Sequence, residues 1–137
     1  MIARLNGCND EYIAFSNPVN KIGIICACHL EVSSAPFHAS KSFEFDISCG
    51  EVLIEKLKEF DKAPKSFSNI RLAYTVWEEE CIYFSGDDFG HISVSGELVH
   101  YGRDIQRMEF EFATDQTMIK KFIVGFEKFL NKSRIKE

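Results

Sequence analysis

Residues 85–98 read SGDDFGHISVSGEL. Two adjacent aspartates, a histidine and three glycines in so short a stretch are the raw material of a metal site or an acid/base pair. They are equally the material of a tight hairpin. The flanking runs decide between these readings. CIYFSG (81–86) and HISVSGEL (91–98) are both strand-like, and a short Asp/Gly loop between two such runs is a strong hairpin signal. Asp side chains bond backbone amides two residues on, and Gly90 is free to take the positive φ that closes the loop. A calcium loop needs oxygen ligands at alternating positions, and the alternation fails after Asp88. The stretch therefore predicts an antiparallel hairpin.

Working outward, the same alternation continues. QRMEFEFAT (106–114) places Met108, Phe110 and Phe112 on one face and Glu109 and Glu111 on the other. If it pairs with HISVSGELVHY (91–101), Glu97 comes near Glu109 on the outward face. NIRLAYTVW (69–77) and CIYFSG complete four consecutive strands. Upstream, MIARL and YIAF are short β-type runs around the turn NGCND (6–10), and SNPVN (16–20) reads as a second turn. IGIICACHLEV (22–32) is a strand, SSAP breaks it, and FHASKSFEFDI (37–47) alternates Phe43, Phe45 and Ile47 with Ser42, Glu44 and Asp46.

Two stretches change period. CGEVLIEKLKEFDKAPK (49–65) spaces Leu53, Leu57 and Phe60 as an amphipathic helix that Pro64 stops. DQTMIKKFIVGFEKFLNK (115–132) puts Ile119, Phe122, Ile123, Phe126, Phe129 and Leu130 on one stripe, with Asp115 as N-cap. No internal repeat is evident. The expectation is α+β: about eight antiparallel strands in a curved sheet with two helices packed against it, as one domain over 1–137.

The chain has 137 residues, 45% of them hydrophobic and thirteen of them Phe, enough for a core of ordinary size. A net charge of -5 argues against nucleic acid as partner, because phosphate contacts need a basic surface. Ten acids and two bases lie between Glu78 and Asp115, whereas six bases and two acids follow from Lys120 onward. No signal peptide or long apolar span is visible, and five cysteines come without an export signal. These features predict a cytoplasmic protein with reduced thiols and no membrane partner.

CACH (26–29) looks like a metal fragment. On a strand, however, Cys26 and Cys28 face one way and His29 the other, and no second C-x-x-C completes a zinc set. Core packing is the better reading, and neither a metal nor a cofactor is expected. No local signature marks a Cys–His nucleophilic pair. Glu78, Glu79 and Glu80 read most simply as a solvated turn between strands.

SGDDFGHISVSGELVH (85–100), followed by RMEFEFATDQTMIKKFIVGFEKFL (107–130), resembles the WapI-type immunity protein family. In that family a G-D-x-x-G-H-I-x-V-x-G-E-L type hairpin leads into an alternating strand ending in D-Q-T and a last helix. SFEFDISCGEVLIEKLKEF (42–60) and RLAYTVWEEECIYFSG (71–86) fit the same order of elements, so the resemblance spans roughly residues 36 to 130. It implies a small cytoplasmic immunity protein that binds and neutralises the toxic C-terminal domain of a secreted or surface protein, without catalysis. It supplies no catalytic residues; the shared positions Gly90, Ile92, Val94, Gly96, Leu98 and Asp115 build the hairpin, core and helix cap.

Toxins that cut nucleic acid usually carry basic surfaces, so an acidic face formed by Glu97, Glu109 and Glu111, extended by Glu78, Glu79, Glu80, Asp87 and Asp88, suits such a partner. Two other classes stay open: a small enzyme using His91, Asp87 and Asp88, and a β module binding a small ligand.

Overall fold

The structure, a computed structural model, describes residues 2–75 and 77–133. Met1, Val76 and residues 134–137, with Arg134 and Lys136 of the basic end, lie outside them. The elements are β1 (Ile2–Asn6), β2 (Tyr12–Lys21), β3 (Ile25–Ser34), β4 (Phe37–Asp46), α1 (Ile47–Lys62), β5 (Phe67–Leu72), β6 (Cys81–Gly86), β7 (His91–Tyr101), β8 (Ile105–Asp115) and α2 (Gln116–Ser133). This is the expected α+β class, with eight antiparallel strands and two helices. The strands are divided into two sheets, β1-β2-β3-β4 and β5-β6-β7-β8, because α1 interrupts the run of hairpins after β4.

The order ββββα therefore occurs twice, a repeat that the sequence does not announce. What persists between the halves is local chemistry at the helix entrance. Asp46 accepts from the Ser48 amide (2.9 Å) and hydroxyl, and Asp115 accepts from the Thr117 amide (2.9 Å) and hydroxyl. Each cap satisfies an amide that the first helical turn leaves free, and a Phe-Glu-Phe run lies upstream of each, directly before Asp46 and separated from Asp115 by Ala113 and Thr114. The helices then cross over: α2 packs on β1 and β2 of the first sheet, and α1 packs on β5 of the second and on α2.

The two sheets meet at both pairs of edges. Asp46 N donates to Ala73 O (2.9 Å) on one side; Cys8 N donates to Ala113 O (3.0 Å) and Thr114 Oγ1 to Asn6 O (2.7 Å) on the other.

The core lies between the sheets and is dominated by phenylalanine. Phe126 stacks on Phe122 (centroids 5.2 Å apart), Phe129 (5.6 Å) and Phe45, and Phe84 of β6 reaches Phe122 from the opposite sheet. All six residues expected on the buried stripe of α2 are buried. Each such ring contributes about 1.5–3 kcal/mol on leaving water, so α2 is the element that ties the two sheets together.

Two local expectations are overturned. SNPVN is not a turn. β2 runs through it with a bulge between Ser16 and Val19, Asn17 taking φ 54°. Pro18 sits at that irregularity, beyond the end of β1, where its missing N–H breaks no ladder. The turn comes later, at Ile22 and Gly23, both with positive φ. In the second half, β5 stops at Leu72 rather than continuing to Trp77. Arg71 donates to the carbonyls of Thr75 (3.1 Å) and Glu78, drawing the chain into a loop instead of a ladder.

Candidate functional site

The expected hairpin is present. Asp87 N donates to His91 O (3.0 Å), and Gly90 takes φ +92°. Asp87 is committed to this turn: its carboxylate accepts from Phe89 N (2.8 Å) and His91 N (3.0 Å), and meets His91 Nδ1 at 2.9 Å. These donors, the backbone amide of His91 first, hold its carboxyl below the ordinary 3.8. Asp88 accepts from Ser66 N (2.7 Å), tying the loop to the segment after α1. An Asp–His contact thus exists, but its carboxylate is spent on closing the loop.

The register of β7 and β8 places Glu97 directly opposite Glu109 and Ser95 opposite Glu111. Phe110 and Phe112 are buried on the other face, with Met108 partly buried there, so the inward and outward assignments hold. Gly96 makes the close packing possible. A Cβ there would stand 2.4 Å from the Cys81 carbonyl oxygen and 3.0 Å from the Phe110 ring.

The outward face carries a shallow, open groove. It has a volume of about 780 Å³ and is floored by Cys81, Tyr83, Ser95 and Gly96 and flanked by Glu78, Glu79, Glu97, Glu109 and Glu111, with Arg71 and Arg107 as its cations. Five carboxylates and two guanidiniums leave it net acidic. Arg107 bridges Glu97 and Glu79, at 2.6 Å to each, and the two carboxylates hold its guanidinium still more firmly protonated. The Glu109 and Glu111 side chains make no hydrogen bond or ion pair among the described residues. The Cys81 thiol, then burial, raises the Tyr83 phenol above its ordinary 10.0.

Not every expected acid joins this face. Glu78 and Glu79 do. Glu80 is not part of a solvated turn; it points inward, pairs with Lys41 of β4 and accepts the Val99 amide (2.8 Å). The pair bridges the two sheets at their seam. Asp87 and Asp88 lie beyond Gly86, at the far end of β6, about 14 Å from the groove residue Tyr83 at ~3.4 Å per strand residue.

Arg71 and Tyr83 are groove residues that sequence reasoning missed. Both occupy outward positions in register with Ser95, a signal readable only once the β5–β6 pairing is known.

Cys26 and Cys28 are buried, whereas His29 points to the other face, where it meets Ser40 Oγ at 2.8 Å. The Cys26 thiol and then burial push Cys28 well above the ordinary thiol range, which disfavours the thiolate a nucleophile requires. Among the described residues, no group of three or more His, Cys, Asp or Glu side chains is placed to hold a metal ion, and no helix is long and apolar enough to cross a membrane. Comparisons with protein-family models, curated proteins and solved structures found no match.

Proposed function

We propose that this protein is a cytoplasmic, non-catalytic inhibitor of the kind the sequence resemblance implies: an immunity protein that neutralises the toxic C-terminal domain of a secreted or surface protein. Its docking surface is the acidic outer groove of the second sheet. The observation that carries this reading is the pairing of Glu97 with Glu109 on an open sheet face, beside a Glu111 carboxylate that has no partner among the described residues.

Like charges directly opposite each other weaken a strand pair by some tenths of a kcal/mol. Of these two acids only Glu97 is relieved, by Arg107. Such an arrangement gives the fold nothing in return, whereas a basic partner would gain from it in encounter rate and specificity.

The test is a titration of the toxin domain's activity. Stoichiometric inhibition saturates at one equivalent of the protein and leaves a stable one-to-one complex. Complete inactivation by a small fraction of an equivalent would instead mean that the protein is a catalyst.

A further inference from the structure

We propose that Trp77 is the anchor of this interface, seated on binding in an apolar cleft rimmed by arginine and lysine on the partner protein. The inference rests on the docking reading above and adds to it the residue that carries most of the affinity.

Trp77 is the only tryptophan in the chain and the most exposed large hydrophobic residue described, at 89%. Single exposed apolar side chains are ordinary. What distinguishes this one is how its loop is held.

Arg71 donates from Nη1 to Thr75 O and from Nη2 to Glu78 O, so one guanidinium clasps the chain on both sides of the tryptophan. Trp77 N donates to Thr75 Oγ1 (3.2 Å) and Glu78 N to Thr75 O (3.2 Å). Upstream, Ala73 O is taken by Asp46 N; downstream, Glu80 is fixed to Lys41 and Val99. This clasp is costly. The Arg71 Nε–H is buried without an acceptor among the described residues, a defect of about 1–3 kcal/mol. The fold tolerates it at the base of a loop whose outward product is a solvated indole.

A side chain whose own amide and flanking carbonyls are already hydrogen-bonded loses less entropy on binding, and Trp is enriched among residues whose truncation costs an interface most. The surroundings name the occupant. Glu78 lines both the acidic groove and a smaller hollow against β4, so the loop stands as a ridge between them. Tyr101, 60% exposed, lies within electrostatic reach of Glu79 and Glu78. An indole and a phenol amid carboxylates match a protein surface that offers an apolar cleft with guanidinium or ammonium groups at its edge, where cation–π contacts add to ion pairing.

The experiment takes as its probe the purified C-terminal domain of a large secreted or surface protein whose gene adjoins this one, titrated calorimetrically against wild type, Trp77→Ala and Glu97→Lys/Glu109→Lys/Glu111→Lys. Trp77→Ala should keep the wild-type melting temperature and weaken binding at least about 30-fold, the change expected for a dominant anchor. 5-Fluorotryptophan in this protein gives a single fluorine resonance, which should shift and lose its solvent-isotope effect in the complex. A Trp77→Ala variant binding within threefold of wild type, while the charge-reversed variant weakens, overturns the anchor and leaves the docking reading standing. Wild type that fails to bind overturns both.

Discussion

Replacing Glu80 with alanine should destabilise the fold more than any other single change to its surface acids. The carboxylate serves two partners in a part-buried setting, the Lys41 ammonium and the Val99 amide. Its side chain is 14% exposed and that of Lys41 22%. Glu80→Ala strands both. An orphaned amide costs about 1–3 kcal/mol. Breaking a fully buried ion pair costs about 3–5 kcal/mol, but Lys41 retains enough exposure to rehydrate in part. We therefore expect a total of about 2–3 kcal/mol.

Glu80→Gln keeps an acceptor for Val99 and should cost only about 1 kcal/mol. Lys41→Met combined with Glu80→Gln should cost less than the two single changes summed, because a neutral pair of similar volume leaves no unpaired charge. Urea unfolding followed by circular dichroism measures wild type and these four variants, Lys41→Met alone included. With a slope of about 1.5 kcal/mol per molar, Glu80→Ala should move the midpoint by about 1.3–2 M. A shift below about 0.3 M, or strictly additive single changes, would show that the pair does not join the sheets.

Two further outcomes follow from local geometry. Ile22, a β-branched residue held at φ 50° and exposed at the β2–β3 turn, should gain about 1 kcal/mol of stability on replacement by Asn; an unchanged or lowered urea midpoint would contradict the strain. Asp87 titrates below 3.8 in the folded protein, so its contribution is complete above that pH and lost as the pH falls through the lower folded value. Asp87→Asn should flatten the acid limb of the stability profile, and carbon NMR should place the Asp87 carboxyl below 3.8; a measured value at or above it would refute the turn assignment.

Much of this architecture was legible because period and capping act locally. Met108, Phe110 and Phe112 alternate with acids whichever strand lies beside them, and the α2 stripe needs no knowledge of its neighbours. The rest depended on particular partners. Nothing within SNPVN reveals that β3 continues past it and pulls the segment into a bulge. Arg71 ends β5 by reaching Thr75 and Glu78, four and seven residues on, a local side-chain contact that overrides the β propensity of the run and that alternation alone does not reveal.

The candidate site divides in the same way. The Glu97–Glu109 juxtaposition follows from pairing two adjacent strands. Glu80 could be separated from Glu78 and Glu79 only by noticing that Lys41 shares the alternation phase of Phe43 and Phe45 and so turns inward with them. The distance of Asp87 and Asp88 from the groove follows from strand length alone and needed no tertiary contact.

We propose that the acidic outer face of the second sheet binds a basic toxin domain. The most direct test is the affinity of that domain for wild type and for Glu97→Lys/Glu109→Lys/Glu111→Lys, each measured across a range of salt concentrations. The variant should fold, associate more slowly and bind more weakly, and the wild-type complex should weaken as salt rises. A variant that folds normally, binds as tightly as wild type and still protects cells would place the interface elsewhere on the molecule.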